Sequence, residues 1–590
     1  MTIKSVYIFQ ETISLASTMI RAALTKIKSK INTYIPPIQS QTQAQSHVEH
    51  KPIHVEDYNI IKEGSAEILF PKTETVFYNP VQQFNRDLSV TCIKAWSNLY
   101  GSSSGSKNRK GRRDNNKKKR TSSEKDQEQK DDDLKRRKLS NGNVEITTTG
   151  IPTKPYIKIL EALSATGLRA IRYANEIPHV KEIIANDLLP AAVESISRNA
   201  QFNNVSHIVK PNLDDANVLM YRNKAENNKY HIIDLDPYGT VTPFVDSALQ
   251  TIEEDGMMLV TCTDLSVLAG NGYPEKCFAL YGGVNMVSHE STHESALRLV
   301  LNLLNQSAAK YKKVVEPLLC LSIDFYVRVF VKVRTSPIEV KELQSKTMIT
   351  YHCSQCGSYH NQPLGRMIER EGKNGKTFTK YLVAQGPPVD SKCKFCRGTY
   401  HVAGPMYAGK LHNQEFIDEV LRINREEHKD DTYGTRKRIE GMVTLAKNEL
   451  SNAPFYFSPN KIASIIKLQV PPLKTVVAGL GSLGYNCSLT HAQPSSLKTN
   501  APWEVIWYVM KQFDDSKKDI SKMNHNTTGY KILSSIDAWE PKENICDISK
   551  LSFEPNEESK HLEKLRKLKI VRYQENPTKN WGPKARPNSS

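Results

Sequence analysis

The run HIIDLDPYGT, residues 231–240, passes from apolar residues into two acids, Asp234 and Asp236, then a proline, a ring and a glycine. A carboxylate at such an exit can accept an N–H bond from a planar amine. The lone pair of that amine is delocalised into its ring, so it is a poor nucleophile. An acceptor orients it and favours charge development as the nitrogen reacts. Tyr238 offers a face on which a base can stack, Pro237 fixes φ, and Gly239 allows close approach. Asp-Pro steps are also common turn formers, so a plain turn is the competing reading.

A second constellation is CSQCG at 353–357 and CKFCRG at 393–398. Four thiolates, Cys353, Cys356, Cys393 and Cys396, match a tetrahedral structural zinc site with no open position for substrate. The 36 residues between Cys356 and Cys393 exceed the usual ribbon spacing, so a loop must project from the knuckle. His352 and His360 lie close by, but a fifth ligand is not needed.

These residues need elements to hold them, and from 156 onward strand and helix patterns alternate. YIKILEAL and VKEIIAND read as strands, each followed by a helix, GLRAIRYANEI and PAAVESISRNAQFN, the latter with Pro190 in its first turn. YHIIDLD is a strand, TPFVDSALQTIEE a helix and MMLVTCTD a strand. A long helix covers roughly 289–312, and PLLCLSIDF and YVRVFVKVR make two adjacent strands. This is a doubly wound α/β domain, whose ligands bind at the carboxyl ends of the strands.

The first strand-to-helix turn, EALSATGLRA, carries Gly167, where backbone N–H groups can approach a ligand. Asp187 ends the next strand 20 residues on, where an acid can hold ribose hydroxyls. Asp215 and Ala216 stand ahead of the fourth strand. The ordered set resembles the S-adenosylmethionine-dependent methyltransferases. A nicotinamide enzyme fits worse, because a pyrophosphate would find no glycine-rich cradle.

The 590 residues exceed one core, so two or three domains are expected. No apolar run is long enough to span a bilayer. Ten cysteines over this length, four in CxxC pairs, suit metal binding in a reducing compartment better than a disulfide scaffold. Residues 1–50 hold five basic and two acidic residues, 101–143 fifteen and seven, and 560–590 nine and two, so these appendages carry the whole formal charge of +18. Bulk charge therefore does not make the folded part an RNA binder. The first segment is a basic amphipathic helix of transit-peptide composition. The second, an insertion over 101–149, has almost nothing to bury and is expected to be disordered. Its RKGRR, KKKR and KRRK clusters resemble nuclear-import signals. Together they suggest a protein shared between mitochondrion and nucleus. The third is a basic helix and arm that can neutralise phosphates.

FYNPVQQFNRDLS (77–89), LSATGLRAIRYANE (163–176), DLDPYGT (234–240), GPMYAGKLHN (404–413) and SLTHAQPSSLKTNAPWEVIW (488–507) resemble the eukaryotic and archaeal tRNA guanine-26 N2,N2-dimethyltransferases. The resemblance covers roughly residues 52–540, with the insertion left out. It implies an α/β fold, with a class I (Rossmann-like) methyltransferase domain over 51–335. An α+β, tRNA-binding C-terminal domain with the zinc knuckle would follow over 336–559, then the tail 560–590. The family uses S-adenosylmethionine twice per guanine. By the resemblance Asp236 is the catalytic acid–base group, and Arg86, Gly167 and Arg169 hold the cofactor. Asp187 takes its ribose, Asp215 and Ala216 lie near its adenine, and Phe77 stacks on a guanine flipped out of its helix. A monomer acting on tRNA, with no membrane span, is expected. A non-catalytic zinc-containing tRNA-binding scaffold, or a methyltransferase for another RNA or a protein amide, are the other readings.

Overall fold

The chain is described by a computed structural model over residues 53–72, 78–101, 155–372, 375–513, 520–568 and 570–572. The transit-like segment 1–50, the insertion beyond Gly101, Phe77 and the tail from 573 lie outside the described residues.

A short hairpin, β1 (Tyr58–Glu63) and β2 (Ala66–Pro71), precedes α1 (Gln83–Tyr100). The alternation anticipated from 156 follows: β3 (Ile157–Glu161), α2 (Leu168–Glu176), β4 (Val180–Asp187), α3 (Pro190–Phe202), β5 (Val209–Leu213), α4 (Ala216–Ala225), β6 (Tyr230–Leu235), α5 (Val245–Thr251) and β7 (Ile252–Cys262). The long helix is α6 (Thr292–Ala309), and β8 (Lys313–Ile323) and β9 (Tyr326–Thr335) form the closing hairpin. The seven strands lie in the order β5-β4-β3-β6-β7-β9-β8. β3 to β7 run parallel, and only β9 is antiparallel to its neighbours.

Two stretches depart from expectation. IEE (252–254) does not continue α5, because Ile252 already pairs with Tyr230 in β7. A buried parallel register outweighs the local helical preference of those acids. VKPNL forms β5, a strand not anticipated; it pairs only with β4, and a proline is tolerated on such an edge.

Apolar residues cover both faces of the sheet. Phe84, Leu88 and Trp96 of α1 pack on one face with α2 and α3; α4, α5 and α6 cover the other. The C-terminal part continues with β10 (Thr347–Cys353), β11 (Tyr359–Pro363), β12 (Gly365–Glu371), β13 (Thr377–Val383) and β14 (Tyr400–Tyr407). Its helices are α7 (Gln414–Glu426), α8 (Arg436–Lys447), α9 (Pro459–Ile466), α10 (Leu473–Ser482), α11 (Trp503–Phe513) and α12 (Glu557–Lys567). The core does not stop near residue 336. Phe416, Ile417 and Val420 of α7 and Ile439 and Val443 of α8 share the cluster built on α1, and Met348 and Met406 join the core over α6. The region Val55–Ser590 is one compact unit.

Candidate active site

The carboxyl edge of the sheet gathers the residues singled out at the strand ends. Gly167 caps α2 at φ +78°, a left-handed conformation that glycine adopts without a Cβ penalty. A Cβ there would stand 3.3 Å from the Ile196 side chain, so the turn is also tightly packed. Asp187, at the end of β4, accepts from Ala165 N at 2.9 Å and Leu189 N at 3.0 Å, which ties its loop to the glycine turn. Asp215 caps α4 by accepting from Asn217 N at 2.8 Å and Val218 N at 3.1 Å, and Ala216 is buried behind it. These turns follow β3, β4 and β5 at the carboxyl edge of the sheet, the place where doubly wound sheets bind ligands.

Alternation along β6 sends Asp234 and Asp236 to the same side of the sheet, yet they have different environments. Asp234 is 1% exposed and accepts from Tyr173 Oη at 2.6 Å and Arg328 Nη1 at 2.9 Å. Burial alone would raise its pKa, but Arg328 and Arg169 hold the carboxyl below its usual range. Asp236, one residue beyond the strand, keeps 24% of its side chain accessible and is ion-paired with Arg169 Nη2. Tyr238 projects, 53% exposed, and Gly239 turns at φ +87°. Gly239 N donates to Thr263 Oγ1 at 2.7 Å, joining the exits of β6 and β7.

The family resemblance implies that Arg86 and Arg169 help hold the cofactor; in the structure both guanidiniums are engaged by carboxylates. Arg169 is buried among Asp236, Asp234 at 3.4 Å and Glu161 at 3.7 Å. Arg86 pairs with Glu63, donating through Nε at 2.6 Å, and also donates to the Asn79 carbonyl at 3.1 Å. Arg172 joins Glu63 at 2.9 Å to Asp87 at 2.6 Å, so α1 and α2 are held together by buried charge.

Several site residues were missed. Arg328 is fully buried in β9 and donates to Asp234, to Thr261 Oγ1 at 2.6 Å and to Ser89 Oγ at 2.7 Å. A charge inside the otherwise apolar YVRVFV was its one signal in the sequence. Glu161, which ends β3, accepts from Ser164 Oγ and from Ala170 N at 3.1 Å. Burial, opposed by Arg169, raises its pKa to about 8.

Away from the crevice, Cys353, Cys356, Cys393 and Cys396 are all buried, with their sulfurs within 4.8 Å of one another. Cys353 and Cys396 stand 3.4 Å apart, and Cys356 and Cys393 3.7 Å. A tetrahedron with metal–sulfur bonds of about 2.3 Å puts its sulfurs about 3.8 Å apart, so the donor set fits a closed site. Each knuckle turns through a left-handed residue, Gly357 at φ +76° and Arg397 at φ +61°. The anticipated projection is the mostly exposed β12–β13 hairpin. Neither His352 nor His360 belongs to the cluster.

His412, Glu449 and His491 also converge. Lys498 Nζ, 3.1 Å from Glu449 and 3.0 Å from Glu294, supplies the positive charge there. The buried pair His491 and Lys498 accounts physically for the THAQPSSLKTN stretch.

The strand order, the glycine turn and the acid-Pro-Tyr exit of β6 define a Rossmann-like, S-adenosylmethionine-dependent methyltransferase. A family model for N2,N2-dimethylguanosine tRNA methyltransferases matches residues 51–511. The chain is 73% identical over 97% of its length to a tRNA (guanine(26)-N(2))-dimethyltransferase, mitochondrial, of Saccharomyces cerevisiae, covering 97% of that protein. It is 44% identical over 89% of its length to a tRNA (guanine(26)-N(2))-dimethyltransferase of Schizosaccharomyces pombe, covering 92% of that protein. A solved structure of Pyrococcus horikoshii Trm1 with S-adenosyl-L-methionine shares the fold, with a TM-score of 0.56 at 23% identity, over 76% of this chain and 99% of that one. The chain belongs to the N2,N2-dimethylguanosine tRNA methyltransferase family.

Proposed function

We propose that this chain transfers two methyl groups to the exocyclic N2 of guanine-26 in tRNA, with Asp236 as the acid–base group. The observation that carries the residue assignment is the contrast between Asp234 in β6 and Asp236 just beyond it. Asp234 is enclosed by Arg328 and Tyr173, whereas Asp236 keeps an accessible face at the crevice. Bound S-adenosylmethionine would supply an electrophilic methyl. Asp236 accepts an N–H bond from the guanine amine, orients it and takes up its proton as nitrogen substitution proceeds. Arg169 serves the cofactor site through Asp236, holding the carboxylate in place. Arg86 holds Glu63, which also pairs with Arg172 of α2.

Gly167, Asp187, Asp215 and Ala216 would hold the cofactor, with Asp187 on its ribose hydroxyls and Ala216 beside its adenine. Tyr238 offers its ring to the flipped guanine, together with Phe77. The four cysteines would hold a structural zinc, which clamps the β10 end to the loop after β13. The region 336–559 acts as the tRNA-binding part, and a monomer suffices. The basic amphipathic segment 1–50 and the mitochondrial name of the Saccharomyces cerevisiae relative support delivery to mitochondria. The basic clusters within 101–149 are the reason to include the nucleus.

The test is mass spectrometry of nucleosides from unmodified tRNA treated with enzyme and cofactor. Dimethylguanosine is expected; a digest free of methylated guanosine would end the reading.

A further inference from the structure

A cavity of about 130 Å³ opens beside the β8–β9 turn, lined by His293, Ser322, Asp324, Arg438, His491 and Arg572 among others. Five distant segments meet there. Arg438 of α8 is 3% exposed and donates through Nη2 to Asp324 Oδ2 at 2.7 Å and through Nε to the Arg572 carbonyl at 2.9 Å. Its Nη1 is buried with no acceptor. Leaving such a donor unsatisfied costs about 1–3 kcal/mol or more for a charged group, and the guanidinium lies 4.5 Å over the Phe84 ring, which meets part of its charge.

The remaining polar capacity is of the same kind. His293 Nδ1 is taken up by Ser322 Oγ at 3.1 Å. Both nitrogens of His491 are engaged, by Glu449 at 2.6 Å and by Ser322 N at 3.0 Å. Asp324, the one carboxylate among the described residues that line the cavity, already receives Arg438. Two guanidiniums disfavour a cation and favour an oxyanion.

We propose that this cavity binds a backbone phosphate of the RNA substrate, whose charge is met by the Arg438 and Arg572 guanidiniums that line it. The proposal rests on the tRNA reading above. The β8–β9 turn lies at the carboxyl edge of the sheet, the same edge as Asp236, because β8 is parallel to β7 and ends at Ile323. In the order β6-β7-β9-β8 the turn is two to three strand spacings from the β6 exit, about 10–14 Å. A phosphate held there lies within a nucleotide or two of a base presented to Asp236.

The basic C-terminal arm completes the cavity. After α12 the chain returns over α8 at Gly441, where a Cβ would stand 2.6 Å from the Val571 carbonyl. That close approach sets Arg572 at the rim, with Nη1 donating to the His491 carbonyl at 3.3 Å.

The experiment uses the full-length chain, S-adenosylmethionine and a tRNA transcript. Formation of dimethylguanosine by the wild type establishes the underlying reading; its absence removes that reading and this one together. With an active wild type, Arg572→Ala should raise the KM for tRNA about tenfold. It should also lower the slope of log affinity against log salt by about one, and leave cofactor affinity unaltered. Arg438→Lys, which keeps charge but loses the fork, should show the same KM effect if it folds. Inorganic phosphate, added at constant ionic strength, should compete with tRNA more strongly in the wild type than in Arg572→Ala. An active wild type whose KM, salt slope and phosphate competition all match those of Arg572→Ala would overturn the phosphate subsite and leave the methyltransferase reading standing.

Discussion

Arg169 of α2 forms an ion pair with Asp236 at the exit of β6, while the same guanidinium faces Asp234 and Glu161. One buried cation thus fixes the accessible acid relative to two enclosed ones. A planar fork can face several carboxylates at once, which a point charge on a flexible stem cannot. Arg169→Lys is expected to lower kcat about 10–100-fold, while S-adenosylmethionine affinity by calorimetry changes less than about threefold. Equal losses in both would assign Arg169 to the cofactor instead.

Asp236→Ala should leave cofactor binding and the melting temperature near those of the wild type. Methyl transfer in a single-turnover assay should fall by about 10²–10⁴, the usual range for a lost acid–base group. Full activity in this variant would remove the acid–base assignment.

Glu161 introduces a pH dependence of stability. Its pKa rises to about 8 in the folded chain, because burial outweighs Arg169. The unfolded value is about 4.3, so between the two the folded state binds the extra proton and stability falls as pH rises. Glu161→Gln lacks this term. The melting temperature of the variant relative to wild type should climb from pH 5 to pH 8, by up to about 1.4 kcal/mol of stability per pH unit, and level off above. A constant difference across that window would contradict the assignment.

Gly167→Ala should destabilise the fold by about 1–2 kcal/mol, because a left-handed backbone penalises a Cβ. The contact with Ile196 adds to that cost. Weaker cofactor binding should accompany the loss, since the turn and the Asp187 loop are bonded together. Denaturant unfolding with and without cofactor separates the two effects.

Metal analysis of the purified chain should return one zinc per molecule, and Cys393→Ser should lose it. The four cysteines share a core cluster with Phe395, Trp503 and Trp507. Their disruption should therefore appear as a change in tryptophan emission and a loss of stability of about several kcal/mol. A chain that holds no metal and keeps its melting temperature under chelator would refute the zinc site.

The order of strands and helices from 156 to 335 was legible because fully buried strands are short apolar runs and the helices between them keep an amphipathic period. β5 escaped since an edge strand with Pro211 and Asn212 lacks that run. The acid-Pro-Tyr exit, the glycine turn and the paired CxxC units were legible too, because each is a local arrangement of a few adjacent residues.

What the sequence alone determined is the chemistry available: a carboxylate beside a ring, an acid at the end of a strand, four thiols. Which acid of DLD is accessible was decided only in three dimensions. Arg328 and Tyr173, 94 and 61 residues away, converge on Asp234 and leave Asp236 to Arg169 and the crevice. The same holds for α7 and α8, whose apolar faces join the α1 core. Local patterns record what a segment can bury or bond, but partners brought from distant segments by sheet order and packing decide which groups are enclosed and which remain able to react.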